Sequence, residues 1–103
     1  MATTKEYVDF CVEQLPTHYD IRYRKMFGEY MIYLNDKPVF LVCDNTVFVK
    51  KIPELAAIME DASENYPYDG AKLHYVLDVE DRELTKRVAE ILERVTPVPK
   101  KKK

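Results

Sequence analysis

Between Arg24 and Lys51 the hydrophobic and polar positions fall into short, even blocks separated by turn residues. Tyr30, Ile32 and Leu34 alternate with Met31 and Tyr33, so both faces of this segment are largely apolar. A strand buried on one face and partly covered on the other has that pattern. Asn35-Asp36 then supplies two residues that tolerate positive φ, as a tight hairpin needs. Beyond Pro38, Val39, Leu41 and Cys43 form one face of a strand and Phe40 and Val42 the other. Asp44-Asn45 gives a second turn, and Thr46 to Lys50 a last short strand through Val47, Phe48 and Val49. The upstream run Ile21 to Phe27 is expected to pair with this sheet and to break at Gly28. Pro38 lacks an N–H donor, which suits a strand start or a sheet edge, and an open edge there invites pairing with a second copy of the chain.

The flanking segments carry helical periodicity. Thr3 and Glu6 have capping-box spacing for a helix from about Lys5 to Leu15, with Tyr7, Val8, Phe10, Cys11, Val12 and Leu15 on one broad face and Pro16 as its stop. After Pro53, the stripe Leu55, Ile58, Met59 and Ala62 predicts a second helix. Residues 63–72 are polar and turn-rich, and Tyr75-Val76-Leu77 is a candidate extra strand. Asp78 with Asp81 resembles the cap of a last helix running to about Val95 on Leu84, Val88, Ile91, Leu92 and Val95. Glu83 with Arg87 and Glu90 with Arg94 are spaced for i, i+4 ion pairs on its solvent side. The expected fold class is α+β: an antiparallel β-meander sheet of 4–5 strands covered by three helices, in two layers. It is one domain over residues 1–96, followed by a disordered Pro/Lys tail at 97–103.

Composition refines this picture in a few places. The formal charge is −2, but four of the 16 basic residues are Lys100 to Lys103, and without those four it falls to −6. An acidic body of this kind is not expected to bind DNA directly. The lysine tail has two readings, steering toward an acidic partner or plain solubility. Cys11 and Cys43 both sit in apolar company and read as buried, reduced thiols of a cytoplasmic protein. A disulfide between them requires their segments to pack directly, which the sequence leaves open. No apolar run approaches the roughly 20 residues of a membrane span.

The chemistry-bearing residues are sparse. His18 and His74 lie far apart, without cysteines or carboxylates at ligand spacing, and two glycines in all make no phosphate loop. No cofactor and no catalysis are expected. The cluster Arg22, Arg24 and Lys25, with Gly28, Glu29 and Tyr30 beside it, is the candidate interaction or anion-binding site. If Ile21 and Tyr23 face inward, Lys25 goes with them, and Arg22 and Arg24 share the opposite face. One reading makes them a solvated strand paired with acidic neighbours such as Glu29. The other makes them a site for phosphate or a partner's acidic group, because a guanidinium forks onto such oxygens. The tyrosines divide in the same way, between a wet rim of the core and a groove for a peptide or small ligand.

With these residues in view, Arg24 to Lys50 resembles the N-terminal domain of the TfoX/Sxy family, regulators of competence genes. The likeness rests on R-K-M-F-G at Arg24, Lys25, Met26, Phe27 and Gly28. An aromatic-rich strand follows (Tyr30, Ile32, Tyr33, Leu34), then a polar turn, a strand with Phe40 and Leu41, and a strand ending in Lys50. Met31 stands where family members often have a second glycine. The resemblance implies a non-enzymatic regulatory or protein-interaction module with an unidentified protein partner, present here without the family's C-terminal domain. The alternative is a domain binding a small ligand, an anion or nucleic acid through the Arg22/Arg24 strand and its tyrosines.

Overall fold

The structure is a computed structural model that describes residues 4–16, 18–26 and 29–96. Helix α1 (Lys5–Glu13) is followed by strands β1 (Ile21–Met26), β2 (Glu29–Leu34), β3 (Lys37–Cys43) and β4 (Thr46–Lys50). A 3-10 turn (Pro53–Leu55), the short β5 (Glu64–Asn65), β6 (His74–Leu77) and helix α2 (Arg82–Val95) complete the chain. The strands form one antiparallel sheet in the order β1-β2-β3-β4-β6-β5. The expected α+β sheet and meander are present; among the described residues there are six strands and two α-helices, where 4–5 and three were expected.

Both hairpin turns form as their residues dictate. Asn35 and Asp36 adopt φ of 52° and 68°, and Asp44 and Asn45 adopt 52° and 54°. Positive φ at both central positions is the type I′ geometry, whose twist matches that of the strands it joins. Leu34 is thereby set opposite Lys37 and Cys43 opposite Thr46. Alternation then carries Tyr30, Ile32, Leu34, Phe40, Val42, Val47, Val49 and Leu77 into one buried cluster with Val8 and Cys11 of α1, Leu15 just beyond it, and Val88, Ala89 and Leu92 of α2. One sheet face is thus covered by helices. The outer face carries Met31, Leu41, Phe48 and Val76 in a single cross-strand row.

Four expectations change. Pro38 stands at the start of β3, as its missing donor suggested, with a partner in β2 and none in β4; β3 is nonetheless an interior strand, and among the described residues the open edges belong to β1 and β5. The β2–β3 register shifts beside Pro38: Ile32 faces Phe40 while Tyr33 faces Pro38, leaving Val39 as the extra residue of a bulge. The second expected helix is a 3-10 turn continued by irregular turns. Leu55 and Met59 are nonetheless buried, joined by a 3.0 Å bond from the Met59 N–H to the Leu55 carbonyl. So short a segment gains little from helix propagation, and packing decides its shape. The cap of α1 is Thr4, whose Oγ1 accepts from the Tyr7 N–H at 3.2 Å; Thr3 lies outside the described residues. Finally, the i, i+4 pairs on α2 do not close: among the described residues, Glu93 makes that helix's ion pair, to Lys37. Asp81 does cap α2, accepting from the Leu84 N–H. Gly28 and the 97–103 tail lie outside the described residues. Among the described residues no helix is long and apolar enough to cross a membrane.

The end of α2 is fastened to the first hairpin. The Lys37 ammonium donates to the Glu93 carbonyl at 2.7 Å and to its carboxylate at 3.2 Å, and the Asn35 amide donates to the same carboxylate at 3.1 Å. A cation on a C-terminal carbonyl also offsets the helix dipole. The Asn35 side-chain oxygen accepts from the Asp20 N–H at 2.9 Å, so one side chain ties the entry to β1, the hairpin and α2 together. Replacing Asn35 by Ala should destabilise the fold by roughly 1–2 kcal/mol, read as a shift in urea midpoint at unchanged slope. Asn35→Gly should cost less, since it restores the positive φ but not the hydrogen bonds.

A second test uses pH. The Asn35 and Lys37 bonds hold the Glu93 carboxyl below its ordinary 4.5. A depressed carboxyl stabilises the fold above its ordinary value and loses that contribution as pH falls through the lowered one. Thermal melts from pH 6 downward should therefore show a shallower acid limb in Glu93→Gln than in wild type.

Candidate functional site

Among the described residues strand β1 is an edge strand, hydrogen-bonded on one side only, to β2. Its register sets Arg22 opposite Tyr33, Arg24 opposite Met31 and Lys25 opposite Tyr30. Ile21 and Tyr23 are half-buried against the core, while Arg22, Arg24 and Lys25 are exposed. Arg22 and Arg24 therefore project on the outer face, beside the half-buried Met31 and Tyr33. Tyr23 is anchored from below: its hydroxyl donates to Asp9 of α1 at 2.9 Å, and its ring meets Tyr30 edge-on at 5.6 Å. That contact turns Tyr30 into the core at 7% exposure, away from the surface of the cluster.

Arg22 reaches Asp20 at 3.5 Å, with both side chains mostly in solvent, an arrangement worth little. Among the described residues no carboxylate comes within ion-pair distance of Arg24 or Lys25. Glu29, the acidic neighbour considered for the arginines, lies diagonally across from Arg24 on the same face, but its carboxylate engages the Cys43 thiol. The structure thus brings Arg22 and Arg24 together on one exposed face, sets Lys25 and Tyr30 on the other side of the sheet, and leaves Glu29 on the arginines' face without an ion pair to either of them among the described residues.

The two thiols lie on opposite sides of the sheet. Cys11 is in the core and Cys43 is on the outer face, both free and buried. Burial pushes Cys11 up to about 11 and Cys43 to about 12, the Glu29 carboxylate adding to the rise at Cys43. Tyr7, beside Cys11, is raised to about 12 by burial first and by the thiol second. Neither cysteine is an activated nucleophile. Among the described residues, no group of three or more His, Cys, Asp or Glu is placed to hold a metal ion.

A second feature was not anticipated. Where β4 leaves the sheet, a cleft of about 640 Å³ runs from the outer face to the end of α2, lined by Phe48, Lys50, Ile52, Lys72, His74 and Leu92 among others. Lys50 and His74 are cross-strand partners, and Lys72 arrives on the loop before β6. The Lys50-Lys51 dipeptide was the one local hint; the rest comes from a loop some twenty residues downstream. That assembly follows from strand pairing, which sequence spacing does not display.

An antiparallel sheet with helices on one face and a cationic, partly apolar surface on the other defines a small α+β domain organised around its outer sheet face. The TfoX N-terminal domain profile matches residues 13–93, and the chain belongs to that family. It is similar to a protein of Spirochaeta aurantia described as an uncharacterized 12.7 kDa protein in the trpE 5′ region, 32% identical over 105 residues. That alignment spans 100% of this chain and 91% of the relative. No solved structure matches.

The thiol geometry generates a direct check. At pH 8 both cysteines of the folded protein should react with a chromogenic disulfide reagent far more slowly than the same chain in guanidinium. Prompt labelling of either one without denaturant would contradict their burial.

Proposed function

We propose that the chain is a non-enzymatic regulatory module of the cytoplasm that docks an acidic segment of a partner protein along β1. The observation that carries this reading is an edge strand with three exposed cations, Arg22, Arg24 and Lys25, and one open hydrogen-bonding side. An extended partner strand can add to such an edge through backbone bonds while its carboxylates meet the arginine forks. Met31 and Tyr33, half-buried beside the arginines, supply apolar contact at the centre of the surface. Family membership supports a regulatory, competence-like role for such a module. A second copy of the chain is a poor occupant of this edge, because pairing β1 with itself sets like charges against each other.

The test is a pull-down from native lysate with nucleases present, comparing wild type with Arg22→Glu/Arg24→Glu. The expected result is a protein retained by wild type, released as salt is raised, and lost in the variant while its melting temperature is unchanged. Equal retention by both proteins would move the docking site off β1.

A further inference from the structure

The cleft at the end of β4 has the features of a built ligand site; it adjoins the β1 surface, with which it shares Met31, and carries its own set of cations. Its size falls among small-molecule sites, which occupy roughly 300–1,000 Å³. Its floor is apolar, formed by Leu41, Phe48 and Ile52, with Phe48 itself only 5% exposed. One wall is the segment from Tyr68 to His74, which is shaped by local bonds. The Ala71 N–H donates to the Tyr68 carbonyl at 3.1 Å, and Gly70 takes a φ of 86°, a conformation suited to glycine. His74 is fixed on the same wall: its Nδ1 lies 2.7 Å from the Lys72 carbonyl. A carbonyl oxygen only accepts, so Nδ1 carries the proton and Nε2 is left for another partner.

Charge sets the kind of ligand. Acidic residues outnumber basic ones 18 to 16 in the chain, yet the described residues lining the cleft include Lys50, Lys51, Lys72 and His74 and no carboxylate. Lys51 is already engaged, 3.0 Å from Glu64 and 5.4 Å above the Tyr75 ring, and serves to hold the end of β4. Lys50 and Lys72 have no carboxylate within ion-pair distance among the described residues. Two uncompensated ammonium groups and an imidazole around an apolar floor match a molecule with one acidic head and a hydrophobic body. An inorganic anion would leave the floor unused, and a neutral apolar ligand would leave the cations unused.

We propose that this cleft binds a small amphiphilic organic anion, its carboxylate or comparable head between Lys50, Lys72 and His74 and its body on Leu41, Phe48 and Ile52. The inference rests on Lys50, Lys72 and His74 and not on the β1 arginines, although the two surfaces share Met31.

The test is a fluorescence titration of the full chain with anilinonaphthalene sulfonate and with neutral N-phenylnaphthylamine, using wild type, Lys50→Glu/Lys72→Glu and Arg22→Glu/Arg24→Glu. Circular dichroism melts establish that each variant is folded. The expected result is one saturable site for the sulfonate, displaced by dodecanoate, with affinity reduced about tenfold or more in the lysine variant. Binding of the neutral probe should change little in that variant, and the arginine variant should behave as wild type. Unchanged sulfonate affinity in the lysine variant, or no saturable binding in wild type, would overturn the proposal. So would displacement by a Glu-Leu repeat peptide but not by dodecanoate, which would mark the cleft as a protein-docking surface.

Discussion

Strand register is the constraint on which this structure depends, and two turns of like geometry hold it. Side chains alternate between sheet faces, so a slip of one residue in β2 or β3 would carry Ile32, Leu34, Phe40 and Val42 out of the core. The Asn35-Asp36 and Asp44-Asn45 turns, with positive φ at all four residues, fix the pairing at both ends of β3. Each turn also holds a more distant part of the fold through its asparagine. Asn35 binds Asp20 and Glu93, and the Asn45 side-chain oxygen accepts from the Thr4 N–H at the start of α1 at 3.0 Å. Register and helix placement are therefore specified by the same residues.

Both helices cover one sheet face, which leaves the other exposed among the described residues. The outer row of Met31, Leu41, Phe48 and Val76 is apolar enough to bind and is bordered by cations at both ends. Arg22 and Arg24 lie at the β1 side, and Lys50, Lys72 and His74 at the β6 side. On a chain of net negative charge, this separation of sign concentrates positive potential over one face.

The local features were legible from the sequence. Strand alternation, the two Asx-rich turns, the Pro16 stop and the Asp81 cap each depend on residues within a few positions of one another. Which sheet face is the core was not legible around Tyr30, because Met31 and Tyr33 make the second face nearly as apolar as the first. The Tyr23 ring and the helices decide that question, and they place Tyr30 inside. Glu64-Asn65 gave no strand signal since both residues are exposed; β5 exists because β6 offers it an unpaired edge. The missing donor of Pro38 suggested a strand start or an edge, and the first holds: Pro38 precedes the β3 residues that pair with β4, although β3 itself is an interior strand. The cleft needed strand order and loop placement before its cations became neighbours.

The bond from Asn35 to Glu93 spans 58 residues of chain. At a synthesis rate of 5–20 residues per second, α2 follows the first hairpin by roughly 3 to 12 s. During that interval on the ribosome, the face bearing Ile32, Leu34 and Phe40 has α1 beside it but lacks its second cover. The period of greatest aggregation hazard for this protein thus falls during its own translation. A pause or truncation ahead of α2 would leave a sheet with its core face open, a natural substrate for chaperones that bind exposed apolar strands.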